Sequence, residues 1–504
     1  MTEEQPICSR NPWLWRSAFL ALALLYLWLQ LLTPLRHEPF GPGLHGNDFK
    51  HIFLGAWMLP RGMDPYDAHE ILGMARMRGF GAVNPYVYLP FTGLALSPLA
   101  LLDPGDAMRA WFVLNHCFLL AALVLICASL RLRPNAMNLT ALTALVAFSG
   151  PVYRTLTAGQ LNCALLLLYS LVFVLVRRKH TVAAGIVAAF AFLFKITPGI
   201  LLAYFLFSAF LNRRRDGDSE PEFRPGLSSA RRHIRAAAAM VVASLLFLAG
   251  CVAWVGIGQH VAFGPLLADM GYGKSTWAGL GQHYHRDAAN QSFNSLFHHL
   301  FSADGETQPW VEAGPGVANG LTRLAFLACV ALVLWRTALG RGALRPDMLF
   351  ALFILLSLLA PSLYWDHYAT IALWPLLACY ARLPERLRPS AVAVFLLIAG
   401  PLSLLPLVPP WLAFAVPALG VGFASGVARM RWGKGGPSAA AWGIAAGLML
   451  ARFPFDAPAW RSGAGLLAMS LVLWGTLILF ALCLTHVRRP SPVHSPPNSS
   501  SKEE

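Results

Sequence analysis

Residues 13–32 read WLWRSAFLALALLYLWLQLL, with Arg16 as the only charge in the run. A helix rises about 1.5 Å per residue, so this stretch is about 30 Å long, the thickness of a bilayer's hydrocarbon core. Blocks of the same kind recur at 237–255 and 466–484. The first block is longer than the apolar region of a signal peptide and no small-residue cleavage site follows, so it reads as a first membrane helix. Over all 504 residues, 57% are hydrophobic and 12% charged, and the mean hydropathy is +0.55. A soluble domain carries roughly twice that charged fraction. The expected fold is all-α: a polytopic membrane helix bundle, in which 42 glycines and 36 prolines imply close packing and broken helices.

The net charge is +15, but the arginines flank apolar blocks instead of lining one folded face, as topology signals do. That excludes nucleic acid as a partner and leaves membrane lipids. The eight cysteines lie in apolar segments, apart from Cys8, and read as small packing residues. Basic clusters at 177–179, 213–215 with 231–235, 341–345, 382–388, 429–434 and 488–489 fall on one side if the blocks alternate. Both termini are then cytoplasmic, in a cell (plasma) membrane protein of about twelve to fourteen crossings. Two long polar loops face outward, 35–87 and 258–318, each expected to carry short helices at the membrane surface. The prolines at 90 and 98 make 88–102 a re-entrant stretch. The block 181–211, basic at both ends, becomes a hairpin broken at Lys195-Ile196-Thr197-Pro198. The layout is a cytoplasmic tail (1–12), a membrane core (13–380), further crossings (381–487) and a Ser/Pro-rich disordered tail (488–504).

The chemistry-bearing residues gather on the outer side. Asp48, in Gly46-Asn47-Asp48-Phe49-Lys50-His51, starts a helix expected from about His51 to Leu59. A carboxylate at the water–lipid boundary can serve as a general base, although position alone favours a helix cap. Tyr66 follows Pro65 and Tyr88 follows the Pro85-Tyr86 turn, where rings suit sugar stacking as well as an interfacial belt. Gln160 and Asn162 occupy an outward turn, Gly159-Gln160-Leu161-Asn162. Lys195 lies far along a helix from the cytoplasmic cluster, and an ionisable group at such depth is a functional candidate, suited to an anionic phosphate. Arg286, Asn290 and Gln291 belong to a polar string that also holds His283 and His285. No acidic residue there completes a metal set, so no metal is expected. Trp365-Asp366-His367-Tyr368 combines a stacking ring, a carboxylate and an imidazole that the carboxylate can hold cationic.

Taken in order, these stretches resemble glycosyltransferase family 87, multi-spanning type C enzymes that include polyprenol-phosphate-mannose-dependent mannosyltransferases. The resemblance runs over roughly 13–380, through Asp48-Phe49, Pro65-Tyr66-Asp67, Tyr86-Val87-Tyr88-Leu89-Pro90, Ser97-Pro98-Leu99, Gly159-Gln160-Leu161-Asn162, Phe194-Lys195-Ile196-Thr197-Pro198, Asn290-Gln291-Ser292 and Trp365-Asp366-His367-Tyr368. Leu89 departs from it, standing where relatives often carry a second proline. The resemblance implies a hexose, mannose-like, donated by a polyprenyl-phosphate carrier to a hydroxyl of a glycolipid or polysaccharide acceptor. It implies a single inverting displacement with Asp48 as base. Physical reasoning adds that a lipid phosphate leaves readily, so one carboxylate suffices without metal or cofactor, and that Lys195, His367 and Arg286 are the cations available to it. The alternative is a lipid-linked-sugar flippase or other transporter, which would spread its ionisable groups along a central pathway.

Overall fold

The structure is a computed structural model that describes residues 12–41, 43–217, 226–287, 290–303, 309, 311–338, 344–382 and 471–485. Among these the fold is all-helical, and the only extended pairings are isolated bridges, Pro39 with Leu44 and Asn290 with Trp365. The expected further crossings between 383 and 470, and both tails, lie outside the described residues.

The first half comprises α1 (Pro12–Tyr26), α2 (Asn47–Met58), α3 (Ala68–Met77), α4 (Pro90–Leu96), α5 (Pro104–Leu130), α6 (Ala136–Ala147), α7 (Gly150–Ala158) and α8 (Asn162–Arg177). The second comprises α9 (Thr181–Phe194), α10 (Ile200–Gly217), α11 (Gly226–Val255), α12 (Ile257–Asp269), α13 (Phe293–Phe301), α14 (Pro315–Ala338), α15 (Pro346–Leu359), α16 (Leu373–Tyr380) and α17 (Leu471–Thr485). Among the described residues, four helices are long and apolar enough to cross a bilayer: Trp13–Arg36, Pro104–Leu130, Ser229–Val255 and Pro315–Thr337. The pair α6–α7, bent by 54°, has the combined length and apolarity of a broken span or a re-entrant loop. Only 11%, 33%, 28% and 22% of the four apolar windows are buried inside the protein, so most of their Leu, Val and Trp side chains face outward, as lipid-facing helices require. Shorter apolar helices such as α8, α9 and α15 pack among them. Phe173, Phe350 and Trp374 interlock there, with ring centroids 4.8–5.1 Å apart.

Two local breaks position the site. Between α6 and α7, Ser149 caps α7 through Val152 N–H, and Pro151, which has no N–H to lose, fits the first turn. Between α9 and α10 the chain extends at Lys195 and makes a 3₁₀ turn at Thr197–Gly199. Thr92 Oγ1 on α4 donates to the carbonyls of Leu193 and Phe194 at the broken end, at 3.3 and 2.9 Å. The chain reverses there. Gly185 packs on Ala236 and Met240 and Phe190 on Phe247, yet farther along Tyr204 meets His233. Close packing at Gly185 is strict, because a Cβ would come 2.3 Å from the Ala236 carbonyl oxygen. The expected hairpin at Lys195–Pro198 is therefore present.

Both long polar segments carry short helices, but α2 differs from the surface helix expected at His51–Leu59. It begins at Asn47, and nine of its residues, among them Lys50 and His51, are buried. Lys50 and His51 are covered because α4 and the 3₁₀ turn Ser97–Leu101 pack over the helix. The stretch at 88–102 forms α4 and that turn, shorter than a bilayer core.

Candidate active site

Separate parts of the chain meet around one cavity of about 730 Å³. Four of these are the start of α2, the α7–α8 elbow, the break after α9 and the turn at 361–368, and residues 84–89 and 267–287 complete the wall. The elbow is fixed by Gly159, whose φ of +74° ends α7 in the left-handed conformation. A Cβ on Gly159 would fall 2.5 Å from the Cβ of Phe49, so α2 presses directly against this turn. The Gly159 carbonyl also accepts from Trp111 Nε1 at 2.8 Å.

Asp48 does not cap α2. The N-cap is Gly46, and Asp48 sits in the first turn with its carboxylate lining the cavity. Asn84 Nδ2 donates to Asp48 Oδ1 at 3.2 Å, and the Gln160 side chain also hydrogen-bonds the carboxylate. Burial acts to raise this carboxyl, but the charges of His367 and His51 and the two amide hydrogen bonds outweigh it, and hold Asp48 below the ordinary carboxylate range. His51 itself is pushed down to about 4 by burial. Its neutral ring stacks on Tyr88, with centroids 5.8 Å apart and planes 10° apart. Tyr88 in turn donates to Gln160 Oε1 at 3.3 Å.

Across the cavity, Lys195 Nζ lies 3.5 Å from the centroid of the Tyr368 ring and donates to Asn162 Oδ1 at 3.4 Å. No carboxylate lies within ion-pair distance of it among the described residues. Asp366, by contrast, is engaged: Arg154 pairs with it, and the His367 backbone N–H donates to Oδ1 at 2.7 Å. Burial pushes Asp366 up, and His367 and Arg154 more than offset this, so it too is held low. The His367 ring is buried, with Nδ1 3.5 Å from Asp366 Oδ1 and, among the described residues, no hydrogen-bond partner at either nitrogen.

Asp48, Tyr88, Gln160, Lys195, Trp365, His367 and Tyr368 thus share the cavity wall. Asn162 stands behind it, donating to Thr155 Oγ1 and the His367 carbonyl while it orients Lys195. Tyr66 also stands behind, its hydroxyl donating to the Tyr88 carbonyl at 2.8 Å. Asn290 is a splint: Nδ2 reaches the Tyr284 and Ser362 carbonyls, and Oδ1 accepts from Ser292 and Tyr364 N–H. Gln291 receives Val472 N–H of α17 and donates its own N–H to the Tyr364 carbonyl. Arg286 lies elsewhere, in a second hollow with His283, His285 and His298. The 3₁₀ turn Tyr284–Arg286 separates them: with about three residues per turn, Tyr284 and Asp287 share the face on the main cavity, and His283 and Arg286 share the opposite one. The structure adds His45, Asn84, Arg154 and Tyr284 to the cavity. Arg154 and Asn84 adjoin sequence motifs already noted, but their carboxylate partners are remote in the chain.

Leu89, Phe192, Ile196, Ile200, Leu267 and Leu363 supply an apolar side to this polar chamber. An ionised carboxylate, a lysine without a carboxylate partner and an imidazole therefore share a room with a hydrocarbon wall. That combination suits a substrate with an anionic head, hydroxyl groups and an apolar tail.

The family model described as glycosyltransferase family 87 matches residues 86–363. No curated protein and no solved structure matches the chain. The matched region holds the Tyr86–Pro90 turn, the Gly159 elbow and the Lys195 break; Asp48 and Trp365–Tyr368 flank it and complete the same cavity. More than half of the chain lies within the match, and its apolar helices fit a membrane enzyme, so this chain belongs to glycosyltransferase family 87.

Proposed function

We propose that this glycosyltransferase moves a hexose, mannose-like, from a polyprenyl-phosphate carrier to a hydroxyl of a glycolipid or polysaccharide at the outer face of the cell membrane. The observation that carries the reading is the meeting of Asp48, Lys195 and His367 around one cavity with an apolar flank. The acceptor oxygen attacks the anomeric carbon, the bond from that carbon to the phosphate oxygen breaks, and the electron pair leaves with the polyprenyl phosphate. Asp48 receives the acceptor's proton. A carboxylate this acidic is a weak base toward a resting alcohol. It takes the proton only once the new C–O bond has begun to form and the hydroxyl has become acidic.

Asp366 is a poor candidate for the base, because it is already spent on Arg154 and the His367 backbone. A single displacement with inversion needs one carboxylate as base, the role given to Asp48, whereas a double displacement needs a second carboxyl to hold the sugar. Lys195 and His367 are the groups for the departing phosphate, where fixed charge stabilises the transition state most. Tyr88, Gln160, Trp365 and Tyr368 offer rings and an amide to the sugar, and Tyr66, Asn162, Asn290 and Gln291 brace them. The apolar side would take the first isoprene units of the carrier.

The test is to incubate the purified full-length protein with radiolabelled polyprenyl-phosphate sugars and extracted membrane lipids. Transfer of label to a lipid or glycan, with inverted configuration, is the expected result. Movement of the intact donor across vesicles without any transfer would overturn the reading in favour of a flippase.

A further inference from the structure

Beyond the main cavity, the second hollow, of about 620 Å³, is bounded by residues 269–286, α13 and Pro315. Its lining is rich in nitrogen groups: Lys274, His283, His285, Arg286 and His298, with Asp269 as the one acidic residue among those described. Among the described residues, three buried nitrogens there have no hydrogen-bond partner: Nδ1 of His285, Nε of Arg286 and Nδ1 of His298. His285 is only 6% exposed and His298 only 1%, so water does not readily satisfy them. Leaving such buried groups unmade is costly, and an arrangement with three of them calls for a ligand that supplies the missing partners.

The hollow is built, not incidental. His298 Nε2 meets Asn319 Oδ1 at 3.0 Å, which fixes the ring so that Nδ1 faces away from α14. His285 stands edge-on to His298, with centroids 5.0 Å apart. Burial pushes His285 down to about 3, and the neighbouring His298, Arg286, His283 and His299 add to this. The His285 and His298 imidazoles are therefore neutral, and the positive charge of the hollow is that of Lys274 and Arg286, with Asp269 the one acidic residue among those described, a balance that suits an anion. The half-buried Trp277 ring on the same wall offers an apolar face of the kind that sugars stack on.

We propose that this hollow docks an anionic sugar group, a saccharide bearing phosphate or carboxylate, and that the group belongs to the acceptor. Arg286 supplies the fixed charge, with His285 and His298 exchanging hydrogen bonds with the anion and the sugar hydroxyls. The turn Tyr284–Arg286 is the shared wall, so a group held by Arg286 on one side lies beside the cavity that Tyr284 and Asp287 line on the other. Assigning the anion to the acceptor rests on the sugar-transfer reading; the existence of the anion site does not.

The test has two arms. In the first, the full-length protein in detergent is titrated calorimetrically with inorganic phosphate and separately with glucuronate, with no donor present. Lys195→Met should retain the binding that Arg286→Gln weakens by about tenfold or more, and Arg286→Lys should recover only part of it. If Arg286→Gln does not fold, His285→Gln serves in its place and should show the same loss. Binding that survives both substitutions, or that disappears in Lys195→Met, overturns the proposal. In the second arm, neutral, phosphorylated and uronate-bearing acceptors are compared for transfer. A preference for the phosphorylated or the uronate acceptor that collapses in Arg286→Gln supports the assignment and identifies the source of the anion. A rise in donor KM with no change in acceptor preference overturns it and returns Arg286 to the donor. Anion binding without turnover on any acceptor would count against the transfer reading alone.

Discussion

The ammonium of Lys195 rests 3.5 Å from the centre of the Tyr368 ring, held from the side by Asn162 Oδ1. Neither partner carries charge, and burial pushes Lys195 down to about 7 despite the nearby charge of Asp48, so an entering anion would favour its ammonium form. A phosphate entering the cavity would find its strongest attraction there. Lys195→Met should raise the donor KM by about ten- to a hundredfold, the value of a charge-assisted hydrogen bond of about 1.5–3 kcal/mol. Tyr368→Leu should cost less, about tenfold or below, because it removes the ring and leaves the charge. Equal donor binding by wild type and Lys195→Met would remove the lysine from the site.

Asp48→Asn keeps the shape of the side chain and removes its basicity. Gly46, and not Asp48, is the N-cap of α2, so the substitution removes no cap, but it does remove a charge that the fold favours. Transfer should fall by about 10²–10⁴-fold in kcat with little change in donor KM, and with a melting temperature lowered by far less than the loss of activity would need if unfolding caused it. Near-wild-type turnover would exclude Asp48 as the base.

The pH profile gives an independent check. Asp48 is held below the ordinary carboxylate range, so its active, ionised form persists to lower pH than in a free carboxylate. The acid limb of kcat/KM should therefore lie below the usual carboxylate pKa of about 3.9, measured where circular dichroism shows the fold intact. Asn84→Leu removes a hydrogen bond that stabilises the ionised form, so the limb should move upward in pH. A limb unchanged by that substitution would mean that another group sets it.

Much of this architecture is visible in the sequence. The apolar run at 13–32 announces a membrane helix, and basic residues at both ends of 181–211 with Pro198 between them demand the reversal at Lys195. The inward face of α2 is not visible there, because Asp48, Lys50 and His51 look like the polar side of an interfacial helix. What turns them inward is packing by α4, a tertiary effect without local signature. The pairing of Arg154 with Asp366 spans 212 residues and leaves no trace in spacing. Arg286 misleads for a different reason: it is four residues from Asn290, but a 3₁₀ turn sends it to the other side of the wall. Motif order identifies the segments that meet; it does not say which face each one shows.

Gly159 offers a test of that meeting which does not touch the reacting groups. Its φ of +74° disfavours any side chain, and the Cβ of an alanine would sit 2.5 Å from the Cβ of Phe49. Neither atom can rotate away, so relief requires α2 to move from the elbow, carrying Asp48 away from Gln160. Gly159→Ala should lower stability by more than about 1 kcal/mol, seen as a reduced melting temperature in detergent. It should also lower kcat more than it raises donor KM, because Lys195 and His367 lie on other segments. Phe49→Gly in the same chain removes the clashing Cβ but not the strained φ, and it places a glycine inside α2, so it should recover activity more than stability. A double variant no more active than Gly159→Ala alone would show that contact between α2 and the elbow does not set the position of Asp48.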